Sequence, residues 1–151
     1  MIKKIKIDKA KEVQQLINSA AEQGKVLERS LNYIYENIRD FRVYLEGERI
    51  VGCCSLHIVG WQSLAEVKSL IVDSDFRKKT IGTQLVQDCI KEAKILGVSK
   101  VFALTFFPIF FKKQGFELID KNSLPHKIWT ECLNCKYFPD CKEEAVIIEV
   151  K

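Results

Sequence analysis

No apolar run in this 151-residue sequence approaches the ~18 residues that a membrane-spanning helix needs, so no span is expected. Charge of one sign is scarce as well. Against 24 basic residues stand 20 acidic ones, and a net charge of +4 is too small to argue for nucleic acid as a partner. Met1-Ile2-Lys3-Lys4-Ile5 enters an alternating pattern at once, without the long apolar region of a secretory signal, and a cytoplasmic location is the expectation. Internal repeats and low-complexity segments are missing. So are the two best-known phosphate loops, Gly-x-x-x-x-Gly-Lys-Ser/Thr and the three-glycine dinucleotide turn. What remains is 47% apolar and 29% charged residues, enough for one ordinary domain over residues 1–151 with a full core.

One stretch organises the rest. Glu66-Val67-Lys68-Ser69-Leu70-Ile71-Val72 reads as a strand, Asp73-Ser74-Asp75-Phe76 as a turn, and Arg77-Lys78-Lys79-Thr80-Ile81-Gly82-Thr83 as the basic entry to a helix. Ile81, Leu85, Val86, Cys89, Ile90, Ala93 and Leu96 form one apolar stripe of that helix, and Gly97 stops it. A helix start carries unpaired N–H groups and partial positive charge, which suits a phosphate. Arg77, Lys78 and Lys79 reinforce it, so a pyrophosphate is the expected ligand. An ordinary surface helix with a basic first turn is the alternative.

From the beginning, Ile2, Ile5 and Ile7 suggest a first strand. Asp8 is placed to cap a helix bearing Ala10, Val13, Leu16, Ile17, Ala20 and Ala21, ended by Gly24. Ser30 caps a second helix, Leu31 to Ile38. Phe41 to Glu46 and Arg49 to Val59 form a hairpin about Gly47-Glu48, and Gly60-Trp61-Gln62-Ser63 turns into the strand Leu64 to Val72. After the central helix come a strand Lys100 to Leu104, a helix Pro108 to Lys113 closed by Gly115, and strands Phe116 to Ile119 and Ala145 to Val150. The order β-α-α-β-β-β-α-β-α-β-β predicts an α/β protein with a mixed sheet and helices on its faces.

Arg77-Lys78-Lys79-Thr80-Ile81-Gly82, after a strand ending Leu-x-Val, resembles the acyl-CoA loop of the GNAT-type N-acetyltransferases, usually Arg/Gln-x-x-Gly-x-Gly/Ala. Thr80 stands where that family has its first glycine, a costly choice if φ is positive there. Further segments narrow the resemblance. Leu27-x-Arg29-Ser30-Leu31, Tyr35-Glu36-Asn37-Ile38-Arg39-Asp40-Phe41, Val51-Gly52-Cys53, Ala65-Glu66-Val67-Lys68-Ser69-Leu70, Leu104-Thr105, Phe110-Phe111-x-x-x-Gly115-Phe116 and the tail Asp120-Lys121-x-Ser123-Leu124-Pro125-x-Lys127-x-Trp129 are similar to the short stand-alone N-acetylglutamate synthases of bacterial arginine biosynthesis. The resemblance implies the GNAT fold, acetyl-CoA as co-substrate and L-glutamate as acceptor. It also brings a homodimer into consideration, because family members often pair through sheet edges or the C-terminal segment.

Acetyl transfer to an amine needs a neutral amine, a polarised carbonyl and a route for the proton. Glu66, with Lys68 and Leu70 on the same face by alternation, is the candidate base. A solvent-exposed carboxylate or an ion pair with Lys68 is the alternative. The resemblance implies that the backbone around Leu70, Ile71 and Val72 holds the thioester and pantetheine, and residues 77–83 the phosphates. It also implies a general-acid tyrosine in the last helix, but the aligned residue here is Phe111, so solvent or another group must take that part. Phe106, Phe107, Phe110 and Phe111 read as core and as a CoA-lining wall. For the carboxylates of glutamate, Arg29 and Lys68 are the candidates, with Ser30 as helper; an ordinary surface arginine is the alternative for Arg29.

Cys53, Cys54 and Cys89 lie in apolar patterns and read as small buried hydrophobes. Cys132-x-x-Cys135-x5-Cys141 falls in a long connection before the last strand, roughly residues 121–143. Zinc, reduced structural cysteines and an oxidised pair are the three readings; zinc lacks a local fourth ligand, with His126 the nearest imidazole. A different small amine, amino acid or protein N-terminus as acceptor stays open, as does a non-catalytic CoA-binding regulatory domain.

Overall fold

The computed structural model describes residues 1–24, 26, 28–60, 63–124 and 143–150, with the side chains of Lys78 and Lys79 outside the description. His126, Cys132, Cys135, Cys141, Trp129 and the Trp61-Gln62 turn therefore lie outside the described residues. In chain order the elements are β1 (Ile2–Lys4), α1 (Ala10–Glu22), α2 (Leu31–Glu36), β2 (Phe41–Glu46), β3 (Arg49–Val59), β4 (Leu64–Val72), α3 (Ile81–Leu96), β5 (Lys100–Thr105), α4 (Pro108–Lys112), β6 (Glu117–Ile119) and β7 (Glu144–Glu149). This is the expected order. The sheet runs β1-β2-β3-β4-β5-β7-β6. Pairing is parallel between β4 and β5, and antiparallel for β1–β2, β2–β3, β5–β7 and β6–β7, so the sheet is mixed. Among the described residues no helix is long and apolar enough to cross a membrane.

The chain forms two compact units, Met1–Leu56 with Val67–Glu92 and His57–Glu66 with Ala93–Lys151. In the first, the register Phe41↔Ser55, Arg42↔Cys54, Val43↔Cys53 sends alternate residues to opposite faces. Phe41, Val43 and Cys53 join Ala10, Val13, Ile17 and Ala20 of α1, Ile34 of α2 and Ile71 of β4 in one buried cluster. The other face meets α3. A Cβ on Gly52 would come within 3.1 Å of Ile81 Cγ2 and Leu85 Cδ1 and 3.3 Å of the Ile71 carbonyl, so only glycine lets the helix approach this closely. Beside it Arg42 is 1% exposed, with Nη1 donating to Cys89 Sγ at 2.8 Å, Nη2 donating to Glu92, and Nε 3.3 Å from Asp88.

In the second unit β5 is central. It pairs in parallel with the start of β4 (Leu64↔Lys100, Ala65↔Val101, Glu66↔Phe102) and antiparallel with β7 (Phe102↔Ile147). Leu64, Phe102, Leu124 and Ala145 form its core. Ser63, at φ 57, enters β4; its carbonyl accepts the N–H of Ser99 at 3.0 Å and its Oγ accepts the same N–H at 2.9 Å. Phe111 is buried, edge-on to Phe110 and Phe116 at 5.1 Å each.

Several expectations need correction. The first strand stops at Lys4, and Ile7 is 62% exposed in a 3-10 turn, Ile7–Lys9. Asp8 sits inside that turn, which moves the start of α1 one residue on; Lys9 occupies the N-cap and makes no side-chain cap bond. The second helix ends at Glu36 rather than Ile38, because Asn37 Nδ2 donates to the Tyr33 carbonyl at 2.9 Å and residues Ile38–Asp40 tighten into a 3-10 turn. Ser30 is the cap as read, its side chain accepting the Tyr33 N–H.

Cys53, Cys54 and Cys89 are free and buried, in keeping with their apolar patterns. Burial pushes the Cys53 thiol up to about 12, against an ordinary value of 9.0. Above pH 9 the unfolded chain releases this proton and the folded chain keeps it, so stability present below pH 9 is lost as pH rises toward 12. Relative to Cys53→Ala, the wild type should lose roughly 2 kcal/mol between about pH 9 and 10.5 in urea unfolding. A difference between the two proteins that does not change with pH would remove the argument.

Candidate active site

β4 carries the candidate base. Glu66 is 7% exposed and Lys68 6% exposed. The exposed-carboxylate alternative for Glu66 is therefore excluded. Burying a carboxylate and an ammonium two residues apart on one strand is costly unless each is held by polar partners, and such sites are enriched in function. Strict alternation then fails at Ser69, which takes φ 53 in the middle of the strand. The strand is irregular there, as at a β-bulge. Leu70 therefore cannot be placed on the face of Glu66 and Lys68 by counting, which corrects the shared face expected for it. Lys68 reaches the Tyr33 ring on the α2 side, and Ile71, three residues on, joins the α1 and α2 cluster as well. The Ser69 Oγ is buried without a hydrogen-bond partner, and the Ser69 carbonyl accepts from Cys53 Sγ at 3.4 Å.

Arg29 precedes α2. Its N–H donates to Asn18 Oδ1 at 3.0 Å, and its carbonyl accepts from Asn18 Nδ2 and Gln14 Nε2 at 3.3 Å each. Two polar side chains of α1 thus fix its backbone. Its guanidinium lies 4.6 Å from the centroid of the Tyr33 ring, and the Lys68 ammonium lies 5.5 Å from the same centroid. Arg29 Nε is buried without a hydrogen-bond partner. The structure thus brings Arg29 and Lys68 to one ring, while Ser30 acts on α2 through its cap. Tyr33 was not legible as part of this group. The only sequence signal is its spacing, four residues after Arg29.

The turn after β4 is a 3-10 segment, Ser74–Lys79, opened by Asp73, whose side chain accepts the Asp75 N–H. Thr80 follows at φ 61, ψ 13, the left-handed region that a β-branched residue enters at a cost of about 1–2 kcal/mol. Gln84 N–H closes on the Thr80 carbonyl at 3.0 Å, and Gln84 Nε2 donates to Thr80 Oγ1 at 3.1 Å. The amides of Ile81, Gly82 and Thr83 precede that bond, and a helix gives such groups no internal acceptor. Ile81 is itself 1% exposed, so its side chain belongs to the core. Arg77 is exposed and its Nε donates to the Val72 carbonyl at 3.4 Å. Positive backbone charge, a left-handed entry and an arginine fit the pyrophosphate of coenzyme A.

The phenylalanines divide. Phe111 is core, Phe110 packs on it, and Phe107 is 56% exposed. Phe107 N–H donates to Thr105 Oγ1 at 2.8 Å, which turns the chain from β5 into α4. Among the described residues no group of three or more His, Cys, Asp or Glu could hold a metal ion.

Comparison with known proteins places these features. Residues 10–116 match the acetyltransferase (GNAT) family. An uncharacterised N-acetyltransferase of Chlorobaculum tepidum is 35% identical over 97% of this chain and 94% of its own length. An amino-acid acetyltransferase of Mycobacterium tuberculosis is 31% identical over 79% of this chain and 69% of its own. The structure of N-acetylglutamate synthase from Neisseria gonorrhoeae, complexed with coenzyme A and N-acetyl-glutamate, superposes with a TM-score of 0.91 at 21% identity over 100% of this chain. This chain spans 35% of that protein, and at such identity the likeness speaks for the fold alone. Fold order, the turn into α3 and the two sequence relatives agree: the chain belongs to the acetyltransferase (GNAT) family and is an N-acetyltransferase dependent on acetyl-CoA.

Proposed function

We propose that the chain acetylates the α-amino group of L-glutamate by direct transfer, the first step of arginine biosynthesis, in the cytoplasm. The observation that carries the acceptor is the pair of cationic heads on Tyr33, one of them with a buried, unpartnered Nε. A carboxylate would satisfy that group, with the Lys68 ammonium on the same ring. The amino-acid acetyltransferase name of the Mycobacterium tuberculosis relative supports the same class of acceptor.

In this reading Arg29, Ser30 and Lys68 serve the acceptor, and Glu66 takes the ammonium proton directly or through water, which leaves a neutral amine to attack. Acetyl-CoA supplies the acetyl group as a thioester. Backbone groups at Leu70, Ile71 and Val72 hold the thioester arm, and Arg77, Lys78, Lys79, Thr80, Ile81, Gly82 and Thr83 hold the phosphates; Phe107, Phe110 and Phe111 stay the candidates for an apolar lining. Phe111 has no proton to give. The departing thiolate is stable enough to leave unaided, since a free thiol has a pKa of about 8.5. A homodimer is a secondary part of the proposal, read out by sedimentation; no metal is proposed, and elemental analysis tests zinc at Cys132, Cys135 and Cys141, the lesser reading beside reduced cysteines.

The test is release of coenzyme A, followed by a readout that does not depend on thiol dyes, from protein offered L-glutamate, L-glutamine, L-aspartate, spermidine and a lysine peptide. Turnover strongly favouring L-glutamate is expected. Preference for spermidine or the peptide would overturn the acceptor.

A further inference from the structure

The backbone of Tyr33 is fixed from both sides in α2. Its N–H donates to Ser30 Oγ at 3.0 Å, and its carbonyl accepts from Asn37 N–H at 3.1 Å and Asn37 Nδ2 at 2.9 Å. The ring packs half-buried against the core of its unit. Onto it converge Arg29 at 4.6 Å and Lys68 at 5.5 Å, both inside the roughly 6 Å over which an aromatic face attracts a cation. Arginine and lysine are the side chains that lose most rotamer freedom when they close on a ligand. A ring that orders both heads beforehand removes that loss from the binding step.

We infer that Tyr33 is a positioning residue, presenting Arg29 and Lys68 as a preformed carboxylate seat and so restricting the acceptor to amines that carry a carboxylate. This deepens the acceptor reading above and rests on it. The hydroxyl has no part; the π face and its rigid mounting are what count. Tyr33 acts on recognition and not on the chemical step, so its loss should appear in one Michaelis constant only.

The experiment compares Tyr33→Phe, Tyr33→Leu and Tyr33→Met, each checked by thermal melting, with both substrates varied. Removing the ring in Tyr33→Leu or Tyr33→Met should raise KM for L-glutamate about tenfold while kcat and KM for acetyl-CoA stay within about twofold. Tyr33→Phe, which keeps the ring, should behave as wild type. The two ring-less variants differ in shape, so either one that folds suffices. Ring-less variants with the wild-type KM, or Tyr33→Phe as impaired as they are, would overturn the inference. So would a parallel fall in kcat with both KM values raised, the mark of a purely structural role. Wild-type protein that acetylates no carboxylate-bearing acceptor would remove the acceptor reading and this inference together; normal wild-type turnover on L-glutamate with unaffected ring-less variants would remove this inference alone.

Discussion

Glu66→Gln should lower kcat at saturating L-glutamate by about 10²–10⁴-fold, the usual contribution of a positioned general base. The substitution keeps the shape of the side chain, so the pairing of Glu66 with Phe102 and the packing around it should survive. What disappears is the capacity to accept a proton from an ammonium group. That gives the deficit a pH signature. As pH rises toward the pKa of the acceptor amine, more of the substrate arrives already neutral, and the variant should close part of the gap. A fixed loss at every pH would assign Glu66 to binding or positioning. An unchanged rate across the whole range would end its role as base.

The second large effect concerns stability. Replacing Arg42 with methionine should cost roughly 2–4 kcal/mol and lower Tm by about 5–15 °C. Arg42 is 1% exposed and neutralises Glu92 and Asp88 of α3. Those carboxylates retain 32% and 37% exposure, which is why the expected cost lies below that of a fully buried pair. The sulfurs add to it. Cys54 and Cys89 lie 3.6 Å apart. Burial by itself would raise Cys89, but the bond with Cys54 and the charge and N–H of Arg42 outweigh it and bring Cys89 below its ordinary value, while burial holds Cys54 well above. Removing the guanidinium withdraws that support together with the ion pairs. Adding Glu92→Gln and Asp88→Asn to Arg42→Met should recover much of the loss, since the acids then need no counter-charge. A single Arg42→Met variant within about 1 kcal/mol of wild type in urea unfolding would show that water already solvates this group.

Arg42 also marks where the sequence misleads. Phe41-Arg42-Val43-Tyr44 alternates, and alternation normally sends the polar residue to water. Here α3 covers the second face, and the polar position is buried against acids spaced four apart on that helix, at Asp88 and Glu92. Acids next to the apolar stripe were the available clue. Elements with long periodic patterns were readable almost to the residue: α3 runs Ile81–Leu96 with its stripe buried from Ile81 to Ala93, though Leu96, counted in that stripe, is 58% exposed, and Gly24 and Gly97 take φ 73 and 83 as stops. Short elements were less so, because a turn such as Ile7–Lys9 is decided by local backbone geometry that leaves little trace in composition. Glu66, Lys68 and Arg29 could be named from types and resemblance. The ring that joins the last two could not, since a cation over a π face has no spacing rule of its own.

Ser69 has a meaning for the chain as a string of letters. Strike it out, and Lys68 and Ile71 stand two places apart, the spacing by which a plain strand sends both to one side; both do face the side of α1 and α2. The additional residue brings a left-handed backbone, a buried hydroxyl without a partner and one more peptide group in the strand that bears Glu66. That residue costs backbone energy to keep, and the cost falls in the strand that bears the candidate base.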